Sequence, residues 1–195
     1  MYEPPEGIRC LKTIGKTLYQ FFVFTLLFQI MYIPFDEINF EARLWIYQAN
    51  RLLTDEEVSL TTETLKAALE GWEAHNTALL ASGKVFHNRF VVIALDESHE
   101  LPSGCSIDKS VHWLQEIGNQ LGVDFFDRSV VYLDEMNRVQ TLSISEIKQA
   151  VADEQIGPNT TVFDNLVATK AQWMKRWKVP ASQTWMKRYF KQPAV

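Results

Sequence analysis

The sequence is poor in cysteine and in glycine, and both shortages limit what the protein can be. Cys10 and Cys105 are its only thiols, and their spacing excludes a disulfide scaffold and a zinc site built mainly from thiolates. Eight glycines in 195 residues exclude a collagen-like repeat. The rest of the composition, 47% hydrophobic and 22% charged, is that of an ordinary folded domain.

A complete nucleotide-binding loop is also missing. Residues 91–97 form an apolar run that ends in Asp-Glu, like the Walker B strand of ATPases. Gly15, Lys16 and Thr17 match only the end of the Walker A pattern, and Cys10 stands where that pattern needs its first glycine. Because backbone N–H groups approach phosphates closely in such a glycine-rich loop, the sequence predicts that the protein is not an ATPase.

Residues 18–35 carry no charge. The stretch is short for a membrane-spanning helix, which needs about 20 apolar residues, and it offers no small-x-small cleavage site. We favour translation starting at Met31 instead of Met1, with residues 1–30 as an extension introduced by gene calling. A membrane anchor through residues 18–35 and a buried N-terminal helix are the alternatives. Without the anchor, we expect residues 31–195 to be a cytoplasmic domain that contacts no membrane.

The hydrophobic pattern predicts strands and helices in turn. Thr54 and Glu57 form a capping box, and an apolar stripe of helical period follows it as far as Trp72. A hairpin is predicted to turn at His87 and Asn88. The other predicted elements are strands at 44–50, 85–86, 90–95, 130–132, 139–142 and 161–167, a break at Ser82 and Gly83, helices at 107–121 and 145–155, and two short helices separated at Pro180.

Hairpins interrupt the alternation of strands and helices, so we predict an α+β fold with a single mixed sheet and flanking helices. A doubly wound α/β sheet is the alternative. No long linker or low-complexity tract divides the chain. Residues 31–195 are therefore predicted to form one globular domain with a basic, aromatic C-terminal tail.

Several short motifs are distinctive: residues 45–51 (Trp-Ile-Tyr-Gln-Ala-Asn-Arg), 96–99 with 103–108, and 179–182. Through them, the body of the chain from Met31 onward resembles a family of short bacterial proteins that are often labelled "ABC transporter ATPase". The resemblance covers most of the body and implies a start near Met31. It implies no particular activity.

The segment 96–112 concentrates side chains that can carry chemistry. Its candidate site residues are Asp96, Glu97, Ser98, His99, Ser103, Gly104, Cys105, Ser106, Asp108 and His112. The predicted order of strand end, loop and helix start favours anions, because free N–H groups and the helix dipole meet there. On the helix, Cys105, Asp108 and His112 share one face, which points away from the apolar stripe.

Three interpretations of this segment stay open. In the first, Ser103, Gly104 and Ser106 bind a phosphate or carboxylate through hydroxyls and backbone amides, and residues 96–98 complete the ligand-binding set. In the second, the segment is a catalytic site. In the third, the serines only cap the helix and Cys105 packs.

The catalytic interpretation assigns a role to each side chain. Cys105 at the helix start would be the nucleophile, His99 or His112 its base, and Asp108 the group that orients the imidazole. A metal site at the same residues has no recognised ligand spacing. We therefore expect no metal and no cofactor.

The C-terminal tail, residues 170–195, carries seven bases and no acid in a chain of net charge −5. Its motif Trp173–Arg176 recurs at Trp185–Arg188, and such a mixture of bases and aromatics suits nucleic acid. The acidic remainder would repel phosphates. We therefore expect the tail to dock on its own domain instead of binding nucleic acid, with an acidic protein partner as the intermediate alternative.

The function predicted from the sequence is binding of a small anionic ligand at residues 96–112. A Cys105-dependent enzyme is the first alternative, and a protein-interaction module that uses the tail is the second.

Overall fold

The computed structural model describes residues 32–190. The strands are β1 (Arg43–Gln48), β2 (Glu73–Ala74), β3 (Thr77–Ala78), β4 (Leu80–Phe86), β5 (Phe90–Asp96), β6 (Val130–Leu133), β7 (Val139–Leu142), β8 (Thr161–Phe163) and β9 (Lys178–Pro180). The helices are α1 (Asp55–Glu70), α2 (Gly104–Leu121), α3 (Ile147–Ala152) and α4 (Lys170–Arg176). Short 3-10 helices lie at Ile144–Glu146, Ala181–Gln183 and Trp185–Tyr189.

These strands form three sheets, not the single mixed sheet that we predicted. The first sheet has the order β1-β5-β4, the second has the order β7-β6-β8-β9, and β2 pairs with β3 alone. All pairings between these named strands are antiparallel. The β4–β5 and β6–β7 pairs must be antiparallel, because tight turns cannot join parallel strands. The α+β class is confirmed, whereas the single-sheet detail is wrong.

Strand β5 is buried on both faces, as its uninterrupted apolar sequence predicts. Val91 and Ile93 pack in one cluster with apolar side chains of α1 and α2. On the opposite face, Phe90 packs with Val131 of β6 and Phe163 of β8. The second sheet therefore packs against the side of β5 that the two long helices leave free.

The predicted capping box starts α1. The Thr54 hydroxyl accepts the N–H of Glu57 at 3.2 Å, and the Glu57 carboxylate accepts the N–H of Thr54 at 2.9 Å. Arg51 donates to both carboxylate oxygens of Glu57 at 2.7 Å. The hydrogen bonds from Arg51 and from the Thr54 backbone lower the pKa of Glu57 to about 2. Gly71 caps the other end of the helix.

Gly83 lies inside β4, so the predicted break at Ser82 and Gly83 is wrong. A Cβ atom at Gly83 would lie 2.5 Å from Cδ2 of Leu65, because α1 packs directly on the backbone of this strand. The glycine is required by close packing, which a single sequence does not distinguish from a turn.

The described part of the tail, residues 170–190, packs on the rest of the domain: the Trp173 and Phe86 ring centroids are 4.9 Å apart, and Arg176 pairs with Asp164 at 2.8 Å. The rings of Trp173 and Trp177 stack with their centroids 5.1 Å apart, and Trp177 is buried. The two predicted tail helices are found only in part. Helix α4 ends at Arg176, and β9 then joins the edge of the second sheet before the last short 3-10 helices.

The predictions for residues 1–31 fall outside the described residues. The described end of the uncharged stretch packs on the domain: Ile33 donates its N–H to the Ala81 carbonyl at 3.0 Å, and the ring centroids of Phe35 and Trp173 are 5.3 Å apart. Within residues 32–190, no helix is long and apolar enough to cross a membrane. The choice between the N-terminal interpretations stays a prediction.

Candidate functional site

The loop of the predicted segment 96–112 makes a contact within itself and a contact with strand β1. The Asp96 carboxylate accepts the backbone N–H of Ser98 at 3.0 Å. Glu97 pairs with Arg43 of β1 at 3.3 Å, and both side chains are solvent-accessible. These contacts explain the loop conformation without a ligand.

The serines of the segment form the start of α2. Ser103 caps the helix by accepting the N–H of Ser106 at 3.1 Å, and the Ser106 hydroxyl donates to the Ser103 carbonyl at 2.8 Å. The Ser106 carbonyl accepts the indole N–H of Trp72 at 2.9 Å. Helix capping therefore occupies the hydroxyls that we predicted to bind an anion.

The remaining predicted site residues are exposed. His99 in the loop and Gly104, Cys105, Asp108 and His112 in α2 are all exposed. For Cys105, Asp108 and His112, exposure agrees with a helix face opposite the apolar stripe. Within residues 32–190, no group of three or more His, Cys, Asp or Glu side chains is arranged to hold a metal ion. A ligand site or a catalytic site at this segment stays a prediction.

A cavity of about 350 Å³ lies elsewhere, at the seam between the two larger sheets. It is bounded by the end of β1, the loop before β6, the loop after β8 and the last 3-10 helix. We call it the seam cavity. Among its lining residues, Gln48, Asp127, Ser129, Asp164 and Asn165 are buried or partly buried and form the polar floor. Phe126, Leu166 and Trp185 are exposed and form the apolar mouth, and the exposed Arg128 is a further lining residue.

Gln48, at the end of β1, is the centre of the floor. The residue is 4% exposed. Its Nε2 donates to Asp127 Oδ2 at 3.0 Å and to the Ser129 carbonyl at 2.9 Å, and its Oε1 accepts from Asn165 Nδ2 at 3.0 Å. Because a buried amide must satisfy both its donor and its acceptor, these contacts fix the orientation of the Gln48 side chain.

The network continues from the floor into helix α4. Asn165 Oδ1 accepts the indole N–H of Trp177 at 3.1 Å. Asp164 accepts from Arg176 Nη2 at 2.8 Å and from the N–H of Leu166 at 3.2 Å. The loop after β8 is thus held at several points, and its side chains are set before any ligand arrives.

Asp127 carries a negative charge near the end of β1. Burial raises the pKa of its carboxyl, but hydrogen bonds from Ser129 and Gln48 and the charge of Arg89 lower the pKa by more. Arg89 is 4% exposed, and its buried Nε has no hydrogen-bond partner among residues 32–190. A carboxylate and a buried guanidinium therefore influence each other close to the floor.

Because the pKa of Asp127 is lowered in the folded state, we expect the stability difference between Asp127→Asn and the wild type to depend on pH. We expect the variant to be less stable than the wild type by roughly 1–2 kcal/mol at pH 7, because an Asn amide turns an N–H₂ group toward the donors of Gln48 and Ser129. A carboxyl whose pKa is lower in the folded state stabilises the fold above its unfolded pKa of about 3.9. The difference should therefore shrink as the pH falls through the folded pKa of Asp127.

Urea unfolding at several pH values between 7 and 2.5 measures this difference, with Asp108→Asn as an exposed control. A gap between Asp127→Asn and the wild type that stays constant down to pH 2.5 would contradict the assigned role of the Asp127 carboxylate.

The mouth of the seam cavity is unusually apolar for an exposed surface. Phe126 is 38% exposed, Leu166 is 77% exposed and Trp185 is 38% exposed. The Phe126 ring contacts Tyr47 edge-on at 5.7 Å, and the Arg188 guanidinium lies 5.1 Å over the Trp185 ring. Apolar side chains grouped around a concave polar site are typical of ligand-binding surfaces.

Sequence reasoning missed this site because its residues come from distant parts of the chain. Gln48 lies 79 positions from Asp127 and 117 positions from Asn165, and no spacing motif covers such distances. One weak signal was present: Gln48 is a polar residue in a strand whose neighbours are apolar or aromatic. A polar residue in that position needs a partner when it is buried, but the sequence does not say which.

The chain matches no protein-family model, no curated protein and no solved structure.

Proposed function

We propose that the protein binds a small organic ligand in the seam cavity. The observation that carries the proposal is a cavity of about 350 Å³ that combines a fixed polar floor with an exposed apolar mouth. This keeps the small-ligand function expected from the sequence but assigns it to residues outside the segment 96–112.

The size of the cavity limits the ligand. Sites for small molecules have volumes of about 300–1,000 Å³, so the seam cavity lies at the lower end of that range. An aromatic ring with one short polar substituent fits this volume. The ring would contact Phe126, Leu166 and Trp185, and the substituent would reach the floor.

The hydrogen bonds of the floor indicate which substituent is complementary. Asn165 donates one amide N–H to Gln48 at 3.0 Å, and an amide group has a second N–H to offer. Asp127 Oδ1 accepts the Ser129 N–H at 3.3 Å and has a second lone pair. A carboxamide has both an acceptor and a donor, so it is the substituent that would use both groups.

Preorganisation supports binding at this site. Gln48 and Asn165 are held by each other and by Asp127 and Trp177, so a ligand would not have to order them. Because ordering side chains reduces affinity, a floor that is fixed in advance favours even a small ligand.

The lining favours binding over covalent chemistry. The residues described around the seam cavity include neither histidine nor cysteine, and the Ser129 hydroxyl donates to the Asp127 carboxylate. A nucleophilic serine needs an adjacent general base that accepts its proton. Asp127, with its lowered pKa, is a poor base for that purpose.

Three matched compounds test the proposal: phenylacetamide, phenylacetate and phenethylamine share one ring and differ in the polar end. We expect isothermal titration calorimetry to show the tightest binding for phenylacetamide. Leu166→Ser should weaken that binding by about tenfold, because it removes one apolar contact of the ring. Leu101→Ser is the matched control, since Leu101 is 64% exposed and lies in the segment 96–112.

The result that would overturn the proposal is equally specific. Two results would exclude the seam cavity as the ligand site: no binding of any of the three compounds, or equal weakening of phenylacetamide binding by Leu166→Ser and Leu101→Ser. Weakening by Leu101→Ser alone would return the ligand site to the segment 96–112.

A further inference from the structure

A second, separate pocket of about 220 Å³ lies where the β4–β5 turn meets α4 and the start of β9. We call it the lysine–tryptophan pocket. It is lined by Phe86, His87, Trp173, Met174, Lys175, Trp177 and Lys178, so it contains most of the first copy of the repeated tail motif.

One wall of this pocket is aromatic. The Trp173 and Trp177 rings are stacked, and the Phe86 ring lies 4.9 Å from Trp173. The exposed His87 ring lies 5.8 Å from the Trp177 ring. The turn holds His87 in place through a left-handed backbone conformation, with φ of 51°. The wall therefore presents ring surface at a fixed position.

The open side of the pocket is basic. Lys175 and Lys178 are exposed, and within residues 32–190 neither forms an ion pair. Arg176, between them in the chain, is instead paired with Asp164 at 2.8 Å. None of the described residues that line the pocket carries a carboxylate. In a chain of net charge −5, this is a local positive site.

The charge of Lys178 acts on His87, which belongs to the aromatic wall. Partial burial against the neighbouring rings lowers the pKa of His87, and the charge of Lys178 lowers it further. The Lys178 ammonium also lies 5.6 Å over the Phe163 ring. An anion in the pocket would relieve the repulsion between Lys178 and a protonated His87.

We propose that the lysine–tryptophan pocket binds a small aromatic anion, with its ring on the wall of His87 and Trp173 and its phosphate or carboxylate at Lys175 and Lys178. The described lining of this pocket has no residue in common with that of the seam cavity, and the pocket takes a ligand of different charge. The aromatic wall is complementary to a ring, and the two lysines are complementary to an anionic group. A ligand that carries both groups contacts both parts of the pocket.

Phenyl phosphate, inorganic phosphate and phenol test the two parts separately. We expect quenching of tryptophan fluorescence to give a Kd for phenyl phosphate about tenfold below that of either other compound, because only phenyl phosphate has both the ring and the charge. Lys178→Gln should weaken phenyl phosphate binding by about tenfold. Lys187→Gln is the control, since Lys187 is an exposed tail lysine outside the pocket.

A single-stranded oligothymidylate tests whether the anion belongs to a nucleic acid. We expect it to bind no tighter per site than phenyl phosphate, because the acidic remainder of the chain repels further phosphates. Tighter binding of the oligonucleotide would replace the small-ligand proposal. Equal affinities for phenyl phosphate and inorganic phosphate, or equal effects of Lys178→Gln and Lys187→Gln, would overturn it. Exposed lysines do not support the core, so these variants should fold normally.

Discussion

Replacing Gln48 with leucine is expected to lower the free energy of unfolding by about 3 kcal/mol. Leucine fills a similar volume but removes the hydrogen-bond partners of Asp127, Ser129 and Asn165. Each buried polar group left without a partner costs about 1–3 kcal/mol. Strand β1 and the loops of the second sheet would lose the contacts that join them at the seam.

Urea unfolding measures this loss, and Gln149→Leu is a suitable control. Gln149 is exposed and donates only within its own helical turn, to Asp153 at 2.8 Å, so its replacement should change stability by less than about 0.5 kcal/mol. If Gln48→Leu were as stable as the wild type, the floor of the seam cavity would not be held by this network. The binding site would then not be preorganised.

Gly118→Ala is expected to destabilise the fold by about 2–3 kcal/mol and to weaken ligand binding in the seam cavity. A Cβ atom at Gly118 would lie 2.5 Å from the carbonyl oxygen of Val123. Because the obstacle is backbone, the loop itself must move, and forced overpacking of this kind costs about 1–3 kcal/mol. The displaced loop continues into Phe125, whose carbonyl accepts the Gln48 N–H at 2.9 Å.

Gly104→Ala in the first turn of the same helix is the matched control. A Cβ atom at Gly104 would meet no atom of residues 32–190 within 4 Å, so alanine should leave the unfolding free energy unchanged or raise it. Thermal unfolding and phenylacetamide titration of both variants separate the two effects. A Gly118→Ala variant with the stability of Gly104→Ala would show that the loop after α2 is not fixed at this contact.

Local patterns predicted much of the fold because their physical causes are local. The capping box of Thr54 and Glu57 starts α1, and the turn at His87 and Asn88 joins β4 to β5. In both cases, the side chains and backbone angles that determine the structure lie within a few residues of each other. The buried strand β5 was predicted for the same reason, since its apolar run is continuous.

The division into separate sheets was not predictable in this way. It depends on which strands pair, and β8 joins β6 and β9 across distant parts of the chain. Gly83 gave a wrong prediction because close packing under α1 and a turn both favour glycine. A local pattern therefore identified the elements without determining their arrangement.

The two candidate sites also differ in whether their residues lie close together in the sequence. We predicted a site at residues 96–112 because serines, acids and a cysteine lie close together in the sequence. In the structure, Ser103 caps helix α2. The seam cavity is assembled from single polar residues at the ends of three strands. Their chemistry becomes visible only when Gln48 is seen to contact Asp127 and Asn165.

The most direct test of the proposed function is to map the residues that respond to phenylacetamide by two-dimensional ¹H–¹⁵N NMR. We expect the largest chemical-shift changes at the Asn165 side-chain amide, the Trp185 indole N–H and the backbone amides of Phe126 and Leu166. Residues 96–112 should not change. Shifts confined to residues 96–112, or no shifts at a concentration near saturation, would contradict the assignment of the ligand site to the seam cavity.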